Sequence, residues 1–154
     1  MNMREIFVGL EQDEDNYPPF THEHLQAEFV ESSRYRILAA PAFAESMAVG
    51  DVVATKNHDG REWVTHVVKN SDHGLFRVVV LDDSLDREHV VKVFNSMGCN
   101  AVLTSFGIIT IDVPPTVDAE HVLQELNTGF DEGDWDFEVP VRPLGLEPPH
   151  DDED

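Results

Sequence analysis

Apolar and polar positions alternate through much of the first half of the chain, from about residue 25 to residue 81. Tyr35 and Ile37, for example, share one face of a predicted strand. The segments NHDG at 57–60 and SDHG at 71–74 have the composition of tight turns between such runs. Several short strands joined by polar turns predict a small antiparallel β-module, either a curled sheet or a partial barrel.

After Leu81 the spacing of apolar residues changes from two to three and four, which is typical of helices. One predicted helix runs from a cap at Asp83 or Ser84 to Met97, and a second is predicted to end at Gly129. Strands are predicted at residues 75–81, 101–106, 108–113 and 134–141. The resulting order, β-α-β-β-α-β, is that of ferredoxin-like folds.

The predicted fold is therefore α+β, with the N-terminal antiparallel β-module fused to a ferredoxin-like unit and followed by a disordered acidic tail. The expected boundaries are an irregular lead-in at 1–24, the β-module at 25–81, the ferredoxin-like unit at 75–141 and the tail at 142–154. The strand at 75–81 is assigned to both units.

The segment FDEGDWDFEVPV, residues 130–141, is rich in carboxylates, which raises the question of whether they form a metal or acid/base site. In a strand, Trp135, Phe137, Val139 and Val141 point to one side, which predicts a core face. Asp134, Asp136 and Glu138 point to the other side, which predicts a solvated face. Neighbours on one face of a strand lie roughly 7 Å apart, too far for the close oxygen cage of a calcium site.

The net charge of −21, from 31 acidic and 10 basic residues, is the property of the sequence that bears most on function. Such a surface repels nucleic acids and anionic membranes and attracts a basic protein partner. The alternative is that the acidity serves solubility alone. The candidate partner-binding carboxylates are Asp13, Glu14, Asp15, Asp134, Asp136, Glu138, Asp151, Asp152, Glu153 and Asp154.

Candidate catalytic chemistry is sparse. His22 and His24 stand two residues apart, so an extended backbone places both rings on one side, but a metal site needs a third ligand. These two residues are weak candidates for metal binding. Cys99 is the one cysteine, which excludes an intrachain disulfide, and it is expected to be a small buried side chain. No nucleophile motif or phosphate-binding glycine loop is found, so we expect no cofactor and no enzyme activity.

The sequence also favours a cytoplasmic location. No segment approaches the roughly 18 apolar residues that cross a bilayer. The first residues, MNMREIFVGLEQDED, lack the pattern of a signal peptide.

Several motifs resemble a bacterial family of short cytoplasmic proteins known as a domain of unknown function. The motifs are DEDNYPPF at 13–20, YRILAAPAFAESMAVGDVV at 35–53, VVKNSDHGLFRVVV at 67–80 and IDVPP at 111–115. The block APAF at 40–43 replaces a family block that usually carries an asparagine and a second phenylalanine. The resemblance implies a shared fold and transfers no activity, cofactor or catalytic residue.

Three hypotheses for function follow from these observations. The first is an acidic interaction protein that binds a basic partner, one version being an immunity protein or antitoxin that blocks a cationic toxin. The second is a small regulatory or ligand-binding domain, by analogy with other ferredoxin-like units. The third is a metal-dependent enzyme that uses His22 and His24.

Overall fold

The structure, a computed structural model, describes residues 2–146. Its first unit is a five-stranded barrel in the order β1-β2-β3-β4-β5. The strands are β1 Met3–Gly9, β2 His22–Glu31, β3 Arg34–Ile37, β4 Val52–His58 and β5 Arg61–Lys69. Consecutive strands pair antiparallel, and a parallel pairing between Phe7 of β1 and Trp63 of β5 closes the barrel.

The barrel interior is filled by the apolar set of the alternating pattern. It includes Ile6, Val8, Leu25, Ala27, Tyr35, Ile37 and Val53. The polar partners of the alternation face outward, as expected for a small barrel whose interior is closed by side chains.

The second unit is a four-stranded antiparallel sheet with two helices. Its elements are β6 Gly74–Val80, α1 Arg87–Ser96, β7 Asn100–Leu103, β8 Ile108–Val113, α2 Ala119–Asp131 and β9 Trp135–Val141. The strand order across the sheet is β7-β8-β6-β9. Both helices contribute to one core with the sheet, around Phe76, Phe94, Ile111 and Leu126. Neither helix of the described chain is long and apolar enough to cross a membrane.

Several local features differ from the sequence prediction. β1 and the start of β2 belong to the barrel, whereas residues 1–24 were assigned to a lead-in outside the β-module, with a short strand allowed at residues 5–10. Ile6 of β1 pairs with Leu25 of the neighbouring strand β2, and both side chains are buried. The strand assigned to both units, β6, belongs to the second sheet, because it hydrogen-bonds to β8 on one edge and to β9 on the other. Helix α1 begins at Arg87 with Asp86 as its cap, because the Asp86 side chain accepts the Glu88 N–H at 3.1 Å.

Gly129 does not end the second helix. It lies inside α2, where a Cβ atom would stand 2.1 Å from Cε2 of Trp135. The missing side chain lets the indole approach the helix closely and donate from Nε1 to the Leu126 carbonyl oxygen at 3.0 Å. Glycine is therefore required here by the close approach of a ring.

The face prediction for β9 is correct at its start and wrong at Val139. Trp135 is buried and Phe137 packs against the core, but Val139 is 43% exposed. The pairing of β9 with β6 shifts register between Leu75 and Arg77, which interrupts the alternation. The predicted disordered tail, 142–154, lies outside the described residues from residue 147 onward, and Leu146 packs against the core of the second unit.

Replacing Gly129 with alanine should destabilise the fold by about 1–3 kcal/mol, because the methyl group overlaps the Trp135 ring. Urea unfolding followed by tryptophan fluorescence measures this difference. Gly9→Ala is the matched control, since a Cβ at Gly9 meets nothing within 4 Å. Equal stability of the two variants would contradict the packing argument.

Candidate functional site

A buried arginine joins the two units. Arg77 lies on β6 among apolar neighbours and points to the sheet face opposite the helices, where it is 3% exposed. Its Nε donates to the Pro41 carbonyl oxygen at 3.2 Å, and a terminal nitrogen donates to the carbonyl oxygen of Ala44. The other terminal nitrogen donates to Glu138 at 3.0 Å. Arg77 therefore fixes residues 38–51, called the bridging loop below, to the second sheet.

A carboxylate holds the same loop from the barrel side. Glu23 lies on β2 between two histidines and accepts three backbone N–H groups. They are donated by Ala42 at 2.6 Å, Phe43 at 3.0 Å and Ala44 at 2.8 Å. Hydrogen bonds to a charged acceptor are stronger than neutral ones, so the loop is secured by opposite charges on its two sides.

A second set of polar contacts lies near the end of the bridging loop. Asp51 is buried and accepts the N–H groups of Ala48 at 3.0 Å and Ser71 at 2.8 Å. Close by in sequence, His73 Nδ1 donates to Asp112 Oδ1 at 2.7 Å. Burial raises the pKa of Asp112 above its usual value, and the His73 contact opposes that rise.

Cys99 is buried, as the sequence predicts. Burial raises the pKa of its thiol to about 11, with the Asp112 charge as a smaller contribution. A thiol with so high a pKa is a poor nucleophile at neutral pH.

A groove with a cavity volume of about 530 Å³ opens between the bridging loop, the segment before β2 and the second sheet. We call it the inter-unit groove. Arg77 and Val79 form part of its base. The side chains that give it its chemical character are Glu11, Tyr17, Phe43, Glu45, Asp136 and Glu138. With Phe137 included, three aromatic residues and four acidic residues therefore line one open space.

Aromatic rings cluster at the edge of this groove. The aromatic patch consists of Tyr17, Phe20, Phe43 and Phe106. The Phe43 ring centre lies 5.0 Å from that of Phe106 and 6.2 Å from that of Tyr17. Tyr17 is 55% and Phe106 51% exposed, so the patch presents apolar surface to solvent.

A local turn presents Tyr17 to the groove. The Asp13 side chain accepts the N–H groups of Asp15 at 2.8 Å and Tyr17 at 3.0 Å. The Asp13 backbone N–H donates to the Tyr17 carbonyl oxygen at 2.8 Å. The motif DEDNYPPF therefore has a structural role, in which its first aspartate orders the loop that carries the ring.

The structure separates the predicted partner-binding acids into groups. Asp136 and Glu138 line the inter-unit groove, whereas Asp134 precedes β9 and is half-buried. Asp13 is used in the local turn, and its neighbours Glu14 and Asp15 are exposed outside the groove. The predicted residues Asp151, Asp152, Glu153 and Asp154 lie outside the described residues.

The two predicted histidine ligands do share one side of β2. Their ring centres are 5.9 Å apart, and both rings lie against Phe7. His24 Nδ1 contacts a Glu5 carboxylate oxygen at 2.8 Å. Within residues 2–146, however, no group of three or more histidine, cysteine or acidic side chains is placed to hold a metal ion.

The sequence reasoning did not single out Arg77, Glu23, Glu11 or Glu45. A signal existed for Arg77, since it is the one charged residue in the apolar run LFRVVVL. A charge inside a largely apolar, buried strand needs a partner and therefore marks a structural or functional contact. Glu23 gave no comparable signal, because an acid between two histidines on an alternating strand has the pattern of a surface residue.

Comparison with known proteins gives a family and a fold. A family model described as "Domain of unknown function (DUF4265)" matches residues 23–137. A solved structure titled "Novel crystal structure of a hypothetical protein from Neisseria gonorrhoeae" is similar with a TM-score of 0.75 and 18% sequence identity. The similarity covers 93% of this chain and 96% of that chain. None of the curated proteins compared with the chain matches it.

Loss of the Arg77 guanidinium should release the bridging loop. Arg77→Met leaves the carbonyl groups of Pro41 and Ala44 without their donors and should cost about 3 kcal/mol of stability. Amide hydrogen exchange should accelerate at residues 42–44 more than in β4. Arg77→Lys is the matched control and should have an intermediate effect, because an ammonium cannot reproduce the planar fork. Unchanged exchange in the loop of Arg77→Met would contradict this role.

The raised pKa of Asp112 predicts a pH dependence of stability. The carboxyl group of Asp112 binds a proton more tightly in the folded state than in the unfolded state. Its contribution to stability is therefore complete below the usual pKa of 3.8 and is lost as pH rises through the higher pKa of the folded state. The unfolding free energy of the wild type relative to Asp112→Asn should therefore fall with rising pH.

Denaturant unfolding between pH 3 and pH 7 measures this difference. Asp82→Asn is the control of opposite sign, since hydrogen bonds from Ser84 lower the pKa of Asp82. The wild type should gain stability relative to that variant as pH rises. If the stability difference between wild type and variant changed in the same direction with pH for both variants, the opposite pKa shifts of Asp112 and Asp82 would be contradicted.

Proposed function

Since the chain belongs to the DUF4265 family, whose description assigns no activity, we propose from the geometry that it is a non-catalytic acidic protein that binds a basic protein partner. One version of this proposal is an immunity protein or antitoxin that blocks a cationic toxin. A cytoplasmic location is part of the proposal, supported by a buried free cysteine.

The observation that carries the proposal is the surplus of carboxylates that no cation of the described chain neutralises. Among residues 2–146, the carboxylates paired with a guanidinium are those of Glu28, Glu45 and Glu138. The Glu45 contact with Arg77 is 4.0 Å long, and the Glu45 side chain is 69% exposed. The remaining negative charge can attract a basic surface, which speeds association and selects the partner.

The inter-unit groove supports this proposal because it adds apolar contact area to the charge. Long-range attraction between charges supplies steering more than affinity. Aromatic side chains, including phenylalanine and tyrosine, are enriched in the cores of protein interfaces. The aromatic patch beside Asp136 and Glu138 thus offers both components on one surface.

A ferredoxin-like arrangement of the second unit is the structural part of the proposal. It is supported by the β-α-β-β-α-β order along the chain and by the strand order β7-β8-β6-β9 across the sheet.

The groove also favours a second candidate function, a small regulatory or ligand-binding domain. Its volume of about 530 Å³ falls in the range of about 300–1,000 Å³ that small-molecule sites occupy. A thermal-shift screen separates the two candidates, because stabilisation by a metabolite would favour ligand binding.

Affinity capture with the full chain tests the proposed partner. The captured protein should have a basic isoelectric point, and its retention should fall by about tenfold or more between 50 mM and 500 mM salt, because screening weakens attraction between exposed charges. An unrelated acidic protein of similar net charge is the control bait and should not retain the same partner. Recovery of no basic protein, or retention indifferent to salt, would count against the proposal.

A further inference from the structure

We propose that the inter-unit groove is a receptor for an arginine side chain of the basic protein partner. This inference rests on the proposed function and specifies the chemical group that the acidic protein recognises. The groove combines exposed aromatic faces with carboxylates on a fixed frame, and a guanidinium is the biological cation that uses both.

The aromatic component comes from Tyr17 and Phe43. Their ring planes lie at 73° to each other with centres 6.2 Å apart, so they form adjacent walls rather than a closed stack. A planar cation attracts the face of an aromatic ring, and the attraction grows as water is excluded. The chain uses this contact elsewhere, since Arg61 Cζ lies 4.7 Å from the centre of the Phe7 ring.

The charges of the groove select a cation over an anion. Four carboxylates, Glu11, Glu45, Asp136 and Glu138, line it against one guanidinium, that of Arg77. An anionic ligand would need the donors of Arg77, but each of its three nitrogens already donates to a protein oxygen, two of them to carbonyl groups and one to Glu138. Arg77 therefore serves as a structural cation, and the excess negative charge is left for the ligand.

Two of the carboxylates are placed to accept from a ligand. Asp136 uses Oδ1 for the Phe137 N–H at 2.8 Å, and no protein hydrogen bond to Oδ2 is found among the described residues. Glu45 lies at the edge of the groove with most of its side chain in solvent. A guanidinium donates through a fixed fork and can bridge carboxylate oxygens, whereas a lysine ammonium is a strongly hydrated point charge.

The frame that carries these groups is held rigidly. Phe43 and Glu45 belong to the bridging loop, which Glu23 and Arg77 fix from opposite sides. Tyr17 is ordered by the Asp13 turn. Binding therefore requires little rearrangement of the receptor, which lowers the entropic cost of association.

Fluorescence anisotropy with three labelled peptides tests the inference. The peptides share a glycine-serine backbone and carry three arginines, three lysines or three citrullines. The arginine peptide should bind about tenfold more tightly than the lysine peptide, because it adds stacking and bridging contacts. The citrulline peptide, which keeps the shape and loses the charge, should not bind at the same concentrations.

Paired variants locate the binding. Glu45→Gln with Asp136→Asn should weaken the arginine peptide by about tenfold or more. Glu120→Gln with Asp59→Asn removes the same charge at exposed positions that do not line the groove, and it should weaken binding by about twofold or less. Tyr17→Leu should reduce the preference for arginine over lysine. A melting temperature within about 2 °C of the wild-type value verifies that each variant is folded.

The outcomes separate this inference from the proposed function. Equal weakening by the two double variants, or equal affinity for the arginine and lysine peptides, overturns the arginine receptor and leaves the salt-dependent basic partner in place. Failure of all three peptides to bind at 50 mM salt also overturns the receptor. The proposed function is judged by the captured partner and its salt dependence, and it falls only if those fail.

Discussion

Burial of the Arg77 guanidinium is the constraint on which the arrangement of the two units depends. A charged group removed from water is costly unless its donors are satisfied. The second sheet cannot satisfy Arg77 by itself, because only Glu138 is supplied from a neighbouring strand of that sheet. Two of its partners, the carbonyl groups of Pro41 and Ala44, come from the loop between β3 and β4 of the barrel. The barrel and the sheet are thus joined because the buried guanidinium needs hydrogen-bond acceptors from both.

The same requirement shapes the surface. Because the bridging loop must lie over β6, it stands above the sheet and leaves an open groove beside it. The loop also carries Phe43 into contact with Phe106 and Phe20, which come from otherwise separate parts of the chain. Glu23 completes the arrangement by accepting the loop N–H groups. Arg77 and Glu23, which carry opposite charges, therefore position the rings and carboxylates that line the inter-unit groove.

The sequence predicts those features that depend on local spacing. The antiparallel β-module, the two helices and the identity of the family follow from periodicity and short motifs, and the structure and comparisons agree. It does not predict features set by contacts between distant residues. Gly129 has the pattern of a helix end until Trp135 is placed against it, and Val139 has the pattern of a core residue until the register shift of β9 is known. Periodicity cannot predict the groove, since its lining residues come from five separate segments of the chain.

The irregular end of β9 has a consequence for association of the sheet. β9 is an edge strand, and such strands present unpaired backbone groups to other chains. The register shift distorts its backbone, and Pro140 lacks an N–H to offer a neighbour. The irregularity that exposes Val139 to solvent therefore also protects this edge of the sheet from fibril-like extension, while the inter-unit groove stays open.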